Sequence, residues 1–391
     1  MRIAGIIAEY DPFHGGHAYH IAETKRISGA EGVICVMSGP FVQRGVPAFL
    51  DKYARAEAAV RGGADLVLEL PPAWATASAE GFARGGVSLL AACGCVTDLS
   101  FGTETDDLPL LEAAAEALSD GALTEQAKAL MKEGRSYASA LAGALRARDP
   151  AMAEAISRPN GLLAVEYLKA LKAQGADGIV PHAVRRLGAD YHDEDAAAFP
   201  ESGQRAAYPS AASIRKAVLQ AAPEDVPAEY ALALGPEAAA PLLMAKLRTL
   251  GYAGADLTAY EDVSPDLAAR ILAAAPFTDS FEGLCRRAAT RAFTLARVRR
   301  ALIHILLEIR KGESRQYPAY LKPLALREGS PAVRAFAENA KLPRLTRAAD
   351  DALDLAAGGR FAQDLYHQMV FSAHGTALPD DFRRSPFVLR A

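Results

Sequence analysis

Short apolar runs of strand length alternate with stretches of helical period over the first hundred residues. Residues 3–8, 32–37, 66–70 and 96–101 are the runs that read as strands. Between them, residues 18–28, 51–62 and 79–92 repeat apolar positions every three or four residues. This alternation predicts parallel strands joined by right-handed helical crossovers. The expected class is therefore α/β, a Rossmann-like doubly wound parallel sheet. Ligands of such sheets sit beyond the carboxyl ends of the strands. The loops at 9–17, 38–51, 71–78 and 102–104 are the places to look for chemistry.

Helical spacing continues at 108–118, 123–132, 137–146 and 161–174. Arg158-Pro159-Asn160 precedes the last of these, and Asn160 can cap it. Residues 178–184 form a further strand candidate that ends in Arg185-Arg186, and a loop over 187–209 holds Tyr191-His192-Asp193. Beyond the turn at 210 the pattern is helical, with breaks at Pro227, Gly235-Pro236, Gly251 and Pro265. Residues 380–391 read as a short arm of low order. Two units are expected, a sheet-bearing one over 1–220 and a mainly α-helical region over 221–391.

Composition narrows the partners. The net charge is −4, so any nucleic-acid site must be a local patch. One such patch is visible. Residues 286–311 carry eight bases against one acid, Glu308, around an apolar stripe of Leu295, Val298, Leu302, Ile305, Leu306 and Ile309. A buried helix with a basic outer face is predicted. That face, with Arg291, Arg297, Arg299 and Arg300, is either a solvated surface or a contact for phosphate backbone. The four cysteines, Cys35, Cys93, Cys95 and Cys285, make no CxxC pair and no Cys/His metal spacing, so reduced thiols and no metal centre are expected. Apolar runs such as 87–93 are too short to span a bilayer, and a cytoplasmic protein with no membrane partner is predicted.

The sharpest chemistry lies at residues 3–20. A strand, a turn at Tyr10-Asp11-Pro12-Phe13, then His14-Gly15-Gly16-His17 opening a helix, make a phosphate-site layout. Glycines let a phosphate approach the backbone, and the spacing of His14 and His17 puts both imidazoles on one face. Both can donate to one phosphate and to the charge that grows on it during transfer. In the second loop, Gln43 and Arg44 either face a ligand or belong to an ordinary strand–helix loop. Asp51 is a predicted N-cap, with Arg55 and Glu57 on a solvated helix face. Ser210, Ser213 and Arg215 form either a second anion-friendly turn or a plain serine cap. A Ser/His/Asp or Cys/His constellation is not among the motifs.

HxGH after a first strand marks the nucleotidyltransferase superfamily, which includes adenylyltransferases and class I aminoacyl-tRNA synthetases. Here it is followed in order by SGPFVQRGVPA, DKYARAEAAVRGGADLVLELP, SAEGFARGGVSLL, FGTE, RPNGLLAVEYLKAL and SAASIRK over residues 1–216. The sequence closely resembles the bacterial tRNA(Met) cytidine acetate ligase family, and TRAFTLARVRRALIHILL resembles that family's helical C-terminal region. The resemblance implies an HxGH-type ATP-binding catalytic domain over 1–220 and a tRNA-binding region over 221–391. It implies a ligase that adenylates acetate, releases pyrophosphate and acetylates N4 of the wobble cytidine of elongator tRNA(Met). Carried over by position, His14 and His17 are catalytic. The ATP contacts fall on Ile7, Ala8, Glu9, Tyr10, Asp11, Pro12, Phe13, His14, Gly15, Gly16, His17, Ala18, Tyr19 and His20, and on Gly102, Asn160, Arg185 and Arg186. Mg²⁺ is expected to arrive with the ATP. Asp11 stands where the family usually has Asn, Gly15 and Pro40 where Asn is common, and Val46 where Glu is common. A carboxylate at position 11 repels a triphosphate unless Mg²⁺ or a base intervenes. The alternative readings are a small-molecule adenylyltransferase acting on a phosphorylated cofactor precursor, and an RNA-binding protein with a vestigial nucleotide fold.

Overall fold

The computed structural model describes residues 1–390 except Gly134, Ser136, Asp177, residues 187–208 and Phe382. The Tyr191-His192-Asp193 loop lies outside the described residues. Nine strands are described: β1 (Ile3–Ala8), β2 (Gly32–Ser38), β3 (Phe41–Val42), β4 (Val46–Pro47), β5 (Leu66–Leu70), β6 (Asp98–Thr103), β7 (Val180–Arg185), β8 (Pro323–Arg327) and β9 (Phe387–Leu389). Seven form one sheet in the order β7-β6-β1-β2-β5-β8-β9, and β3 with β4 makes a small separate hairpin. The first five strands of the sheet run parallel, as the alternation predicts.

Both faces of this sheet are covered, which is why β1 and β2 read as apolar runs and β5 as one interrupted only by Glu69. Ile3 and Ile7 of β1 turn to one core with Ile34, Val36, Leu68 and Phe82. Ala4 and Ile6 turn to the other with Val33, Cys35, Val67, Tyr53 and Val60. The Ala79–Ala92 helix lies very close on the first face, because a Cβ at Gly5 would stand 2.6 Å from Leu90. Between β6 and β7 the chain makes five helices, from Leu108–Ser119 to Pro159–Ala173.

The C-terminal region is mainly helical, and it also completes the sheet. β8 pairs antiparallel with β5, and β9 pairs with β8, so strands beyond residue 220 extend a sheet begun before it. The low-order arm expected from residue 380 is not what forms. Asp381 is buried, taking a hydrogen bond from Tyr53 Oη at 2.6 Å and one from Lys322 Nζ at 2.6 Å. Lys52, also fully buried, sits between Asp381 and Glu69, at 3.0 Å from Glu69. Arg384 reaches Asp51 at 2.8 Å and lies over the Tyr53 ring. A charge-paired anchor and three ladder positions thus hold a segment whose local sequence is polar and proline-bearing.

Candidate active site

The site is a cleft at the carboxyl ends of β1, β6 and β7, where a doubly wound sheet places its ligands. Its volume is about 310 Å³. Its floor is the turn after β1. Tyr10 takes a positive φ of 48°, and the Asp11–Pro12 peptide is cis. The chain then enters the Gly15–Ser28 helix at His14.

The two histidines cap this helix for each other. His14 Nδ1 accepts from Gly16 N at 3.1 Å, and His17 Nδ1 accepts from His14 N at 3.3 Å. An imidazole that accepts at Nδ1 carries its proton on Nε2. The rings stack with centroids 3.8 Å apart, and Tyr10 and Phe13 pack on His17. Burial, then the charges of Arg186 and Arg215, push the His14 pKa down to about 4. Burial, with His14, His20 and Arg186 adding to it, holds His17 well below the ordinary imidazole range. His20, pushed down to about 4 mainly by burial, faces Ser100 Oγ at 3.0 Å. At neutral pH His14 and His17 are thus neutral and each presents one fixed Nε2–H donor.

Asp11 has the base that its position demands. It is 3% exposed. Its Oδ2 accepts from Arg44 at 2.6 Å and its Oδ1 from Phe49 N at 2.6 Å, while Arg215 donates to its carbonyl oxygen. Arg44 also pairs with Glu9 at 3.1 Å, and Glu9 accepts from Gln43 N at 2.8 Å. The β3–β4 hairpin is thereby tied to the motif turn, and Gln43 and Arg44 line the cleft. Arg55 is not on a solvated face. Only 1% exposed, it donates to the carbonyls of Glu9, Ser38, Gly39 and Leu50, fastening the ends of β1 and β2 together. Asp51 is the N-cap expected of it.

Most of the residues singled out in the sequence meet here. Ile7, Ala8, Glu9, Tyr10, Asp11, His14, Gly16, His17, Tyr19, His20, Gly102, Asn160, Arg185, Arg186, Ser210 and Arg215 line the cleft. Pro12, Phe13, Gly15, Ala18 and Ser213 do not line it. Phe13 packs edge-on to Tyr10, and Ser213 donates to Ser210 O. Ser210 caps the Ala211–Gln220 helix, the plain role, and the same turn forms part of the cleft wall. Asn160 is not a cap. Arg158 holds that position, and Asn160 in the first turn donates from Nδ2 to Glu104 Oε1 at 2.6 Å. Sequence reasoning passed over the apolar wall of Phe82, Phe101, Leu163 and Tyr167. The spacing of Asn160, Leu163 and Tyr167, one face of one helix, was the available signal.

The four C-terminal arginines do not line the cleft. Arg299 pairs with Glu282 at 2.7 Å and Arg300 with Asp262 at 3.0 Å. Arg297 lies 5.2 Å from the Phe293 ring centroid, and Arg291 is exposed. Arg286 and Arg287, on the preceding Phe281–Ala288 helix, are exposed as well. Among the described residues, no three His, Cys, Asp or Glu side chains gather as a metal site. No described helix is long and apolar enough to cross a membrane.

The HIGH Nucleotidyl Transferase family model matches residues 1–377. A protein of Syntrophotalea carbinolica named tRNA(Met) cytidine acetate ligase is 37% identical over 349 residues, 86% of this chain and 81% of that one. The chain belongs to the tRNA(Met) cytidine acetate ligase family. The protein is accordingly a ligase. The crystal structure of Thermotoga maritima TmcAL in its apo form superposes with a TM-score of 0.86 at 28% identity over all of both chains. A second crystal form of that protein, bound with alpha-thio ATP, gives 0.83 at 27% identity, again over all of both. The family fold thus includes β8, β9 and the helical C-terminal region.

Proposed function

We propose that this chain joins acetate to tRNA in two steps, adenylating acetate with ATP and passing the acetyl group to N4 of the wobble cytidine of elongator tRNA(Met). The observation that carries the reading is the mutual capping of His14 and His17, which leaves two neutral imidazoles with Nε2–H donors at a cleft ringed by Arg44, Arg185, Arg186 and Arg215. Acetate is already ionised at neutral pH, so its attack on the α-phosphorus needs no base. It needs alignment and donors for the phosphoryl charge. Pyrophosphate leaves, and the arginines at the mouth stabilise it. In the second step the cytidine amine attacks the acetyl carbonyl and AMP leaves. A wobble base lies in a single-stranded loop, so no duplex has to open to present it.

The ATP contacts are assigned to the cleft residues from Ile7 to His20, with Gly102, Asn160, Arg185 and Arg186. Glu9 and Asp11 are already held by Arg44 and by backbone N–H groups, so neither is available as a dedicated magnesium ligand. Mg²⁺ accordingly enters with the triphosphate as part of the substrate. The exposed Arg286, Arg287 and Arg291, with the half-buried Arg297, are assigned to the tRNA backbone. The deciding experiment incubates the protein with ATP, radiolabelled acetate and total tRNA, then digests the RNA to nucleosides. Label in cytidine is expected. Pyrophosphate release driven by a phosphorylated metabolite, with no label in RNA, would replace this reading with that of a small-molecule adenylyltransferase.

A further inference from the structure

Glu104 follows β6 in the loop at the sheet's carboxyl end, two residues after Gly102 of the cleft. One of its oxygens accepts from Asn160 Nδ2 at 2.6 Å, and the other is buried with no hydrogen-bond partner among the described residues. A carboxylate has no hydrogen to donate, so the atom of Asn160 facing it must be the amide nitrogen. That fixes which way round the Asn160 amide sits. Asn160 lines the cleft, and with its nitrogen held on Glu104 the amide oxygen is left for the cleft side. An amide oxygen only accepts, so its ligand partner must be a donor.

We propose that Glu104 is a positioning residue. It orients Asn160 so that the Oδ1 accepts from an N–H or O–H of the bound nucleotide. This rests on the nucleotide reading given above. Two donors of a nucleotide fit the chemistry, the exocyclic amine of adenine and a ribose hydroxyl. Phosphates offer none, and the histidines and arginines that line the cleft are donors suited to them. Glu104 therefore acts on which nucleotide binds, and not on the phosphoryl step.

The test measures equilibrium binding to the full chain of ATP, of purine riboside triphosphate, which lacks the amine, and of 2′-deoxy-ATP and 3′-deoxy-ATP. Glu104→Ala should weaken ATP about fivefold to tenfold, the usual worth of one directed hydrogen bond, with KM raised and kcat little changed. Glu104→Gln, which keeps an acceptor for Asn160, should stay within about twofold of the parent. One analogue should bind the parent as weakly as ATP binds Glu104→Ala and should not weaken further in that variant, and its identity names the donor. Glu104→Ala and Asn160→Ala together should cost no more than either alone. Thermal melts report whether each variant is folded, and the Gln variant keeps the test open if the Ala variant is not. Unchanged ATP affinity in Glu104→Ala, or an equal loss for every analogue, overturns the positioning role. Failure of the parent chain to bind ATP overturns the nucleotide reading itself.

Discussion

His14 and His17 show how one pair of side chains serves fold and chemistry together. Their Nδ1 atoms satisfy N–H groups that a helix start leaves open, and the same bonds fix the tautomer that points Nε2–H outward. His17→Ala should lower the rate of acetyl-AMP formation about 10²- to 10³-fold, the loss typical of one charge-stabilising donor, while tRNA binding in a filter assay stays within about twofold. Equal losses in both would defeat the division between an ATP site and an RNA surface. The pH dependence follows from burial. His14 and His20 titrate near 4 in the folded protein and near 6.5 when unfolded, and His17 shifts the same way. Between those limits the unfolded chain binds more protons, so stability falls as pH drops from about 6.5 towards 4. Urea midpoints measured from pH 7 to 4.5 should decline through that window, and His20→Asn should flatten the decline. A stability curve flat down to pH 4.5 would mean that the imidazoles are not buried neutral. The acid limb of the rate profile should likewise lie well below 6.5.

At the scale of elements, the β3–β4 hairpin joins the cleft to the C-terminal helices. On one side Arg44 holds Asp11 and Glu9. On the other, Gly45 has a φ of 73°, and a Cβ there would stand 2.6 Å from the Arg299 carbonyl carbon in the Leu295–Leu306 helix. Gly45→Val should destabilise the protein by about 1–3 kcal/mol through strain and overlap and should raise KM for ATP as Arg44 shifts. Stability measured by urea melts and KM measured at saturating acetate and tRNA check both parts. Arg55 is the second element-level device. Arg55→Met strips donors from three strand-end carbonyls and that of Leu50 and should cost roughly 3 kcal/mol or more.

The whole molecule is closed by its last twenty residues. Burial alone would raise the Asp381 carboxyl, but Lys52 and Lys322 hold it far below the ordinary carboxylate range. Asp381→Asn leaves two buried ammonium groups with Glu69 alone and should destabilise by about 3–5 kcal/mol, read as a drop in melting temperature at pH 7. The proposed tRNA surface is a second property of the whole. Arg291→Ala with Arg297→Ala should weaken tRNA binding and reduce the slope of log K against log salt by about 1.4, near 0.7 per single-strand phosphate contact. Arg299→Ala and Arg300→Ala should instead act mainly on stability, since these side chains meet Glu282 and Asp262. An unchanged salt slope in the first pair would move the RNA surface elsewhere.

What the sequence determined by itself was whatever depends on neighbours in the chain. β1 is an apolar run and β5 one interrupted only by Glu69, each with buried faces on both sides, and both were legible to the residue. The HxGH turn, its helix and the Asp51 cap are likewise local patterns. What only the tertiary structure decided was where charges go. Arg55 and Lys52 look like solvated helix residues because a charged side chain on a helix is exposed unless partners from elsewhere in the fold meet it. Both are buried because strand-end carbonyls and the distant Asp381 converge on them. Asp11 looked like a defect until Arg44 arrived beside it. Glu104 gave no sign that it grips Asn160. β8 and β9 escaped notice because strands of five and three residues have too few positions to show a period, and β8 pairs with a strand more than 250 residues before it. Burial of a charge is favourable only when its partners are in place, and partners brought together by folding leave no periodic trace along the chain.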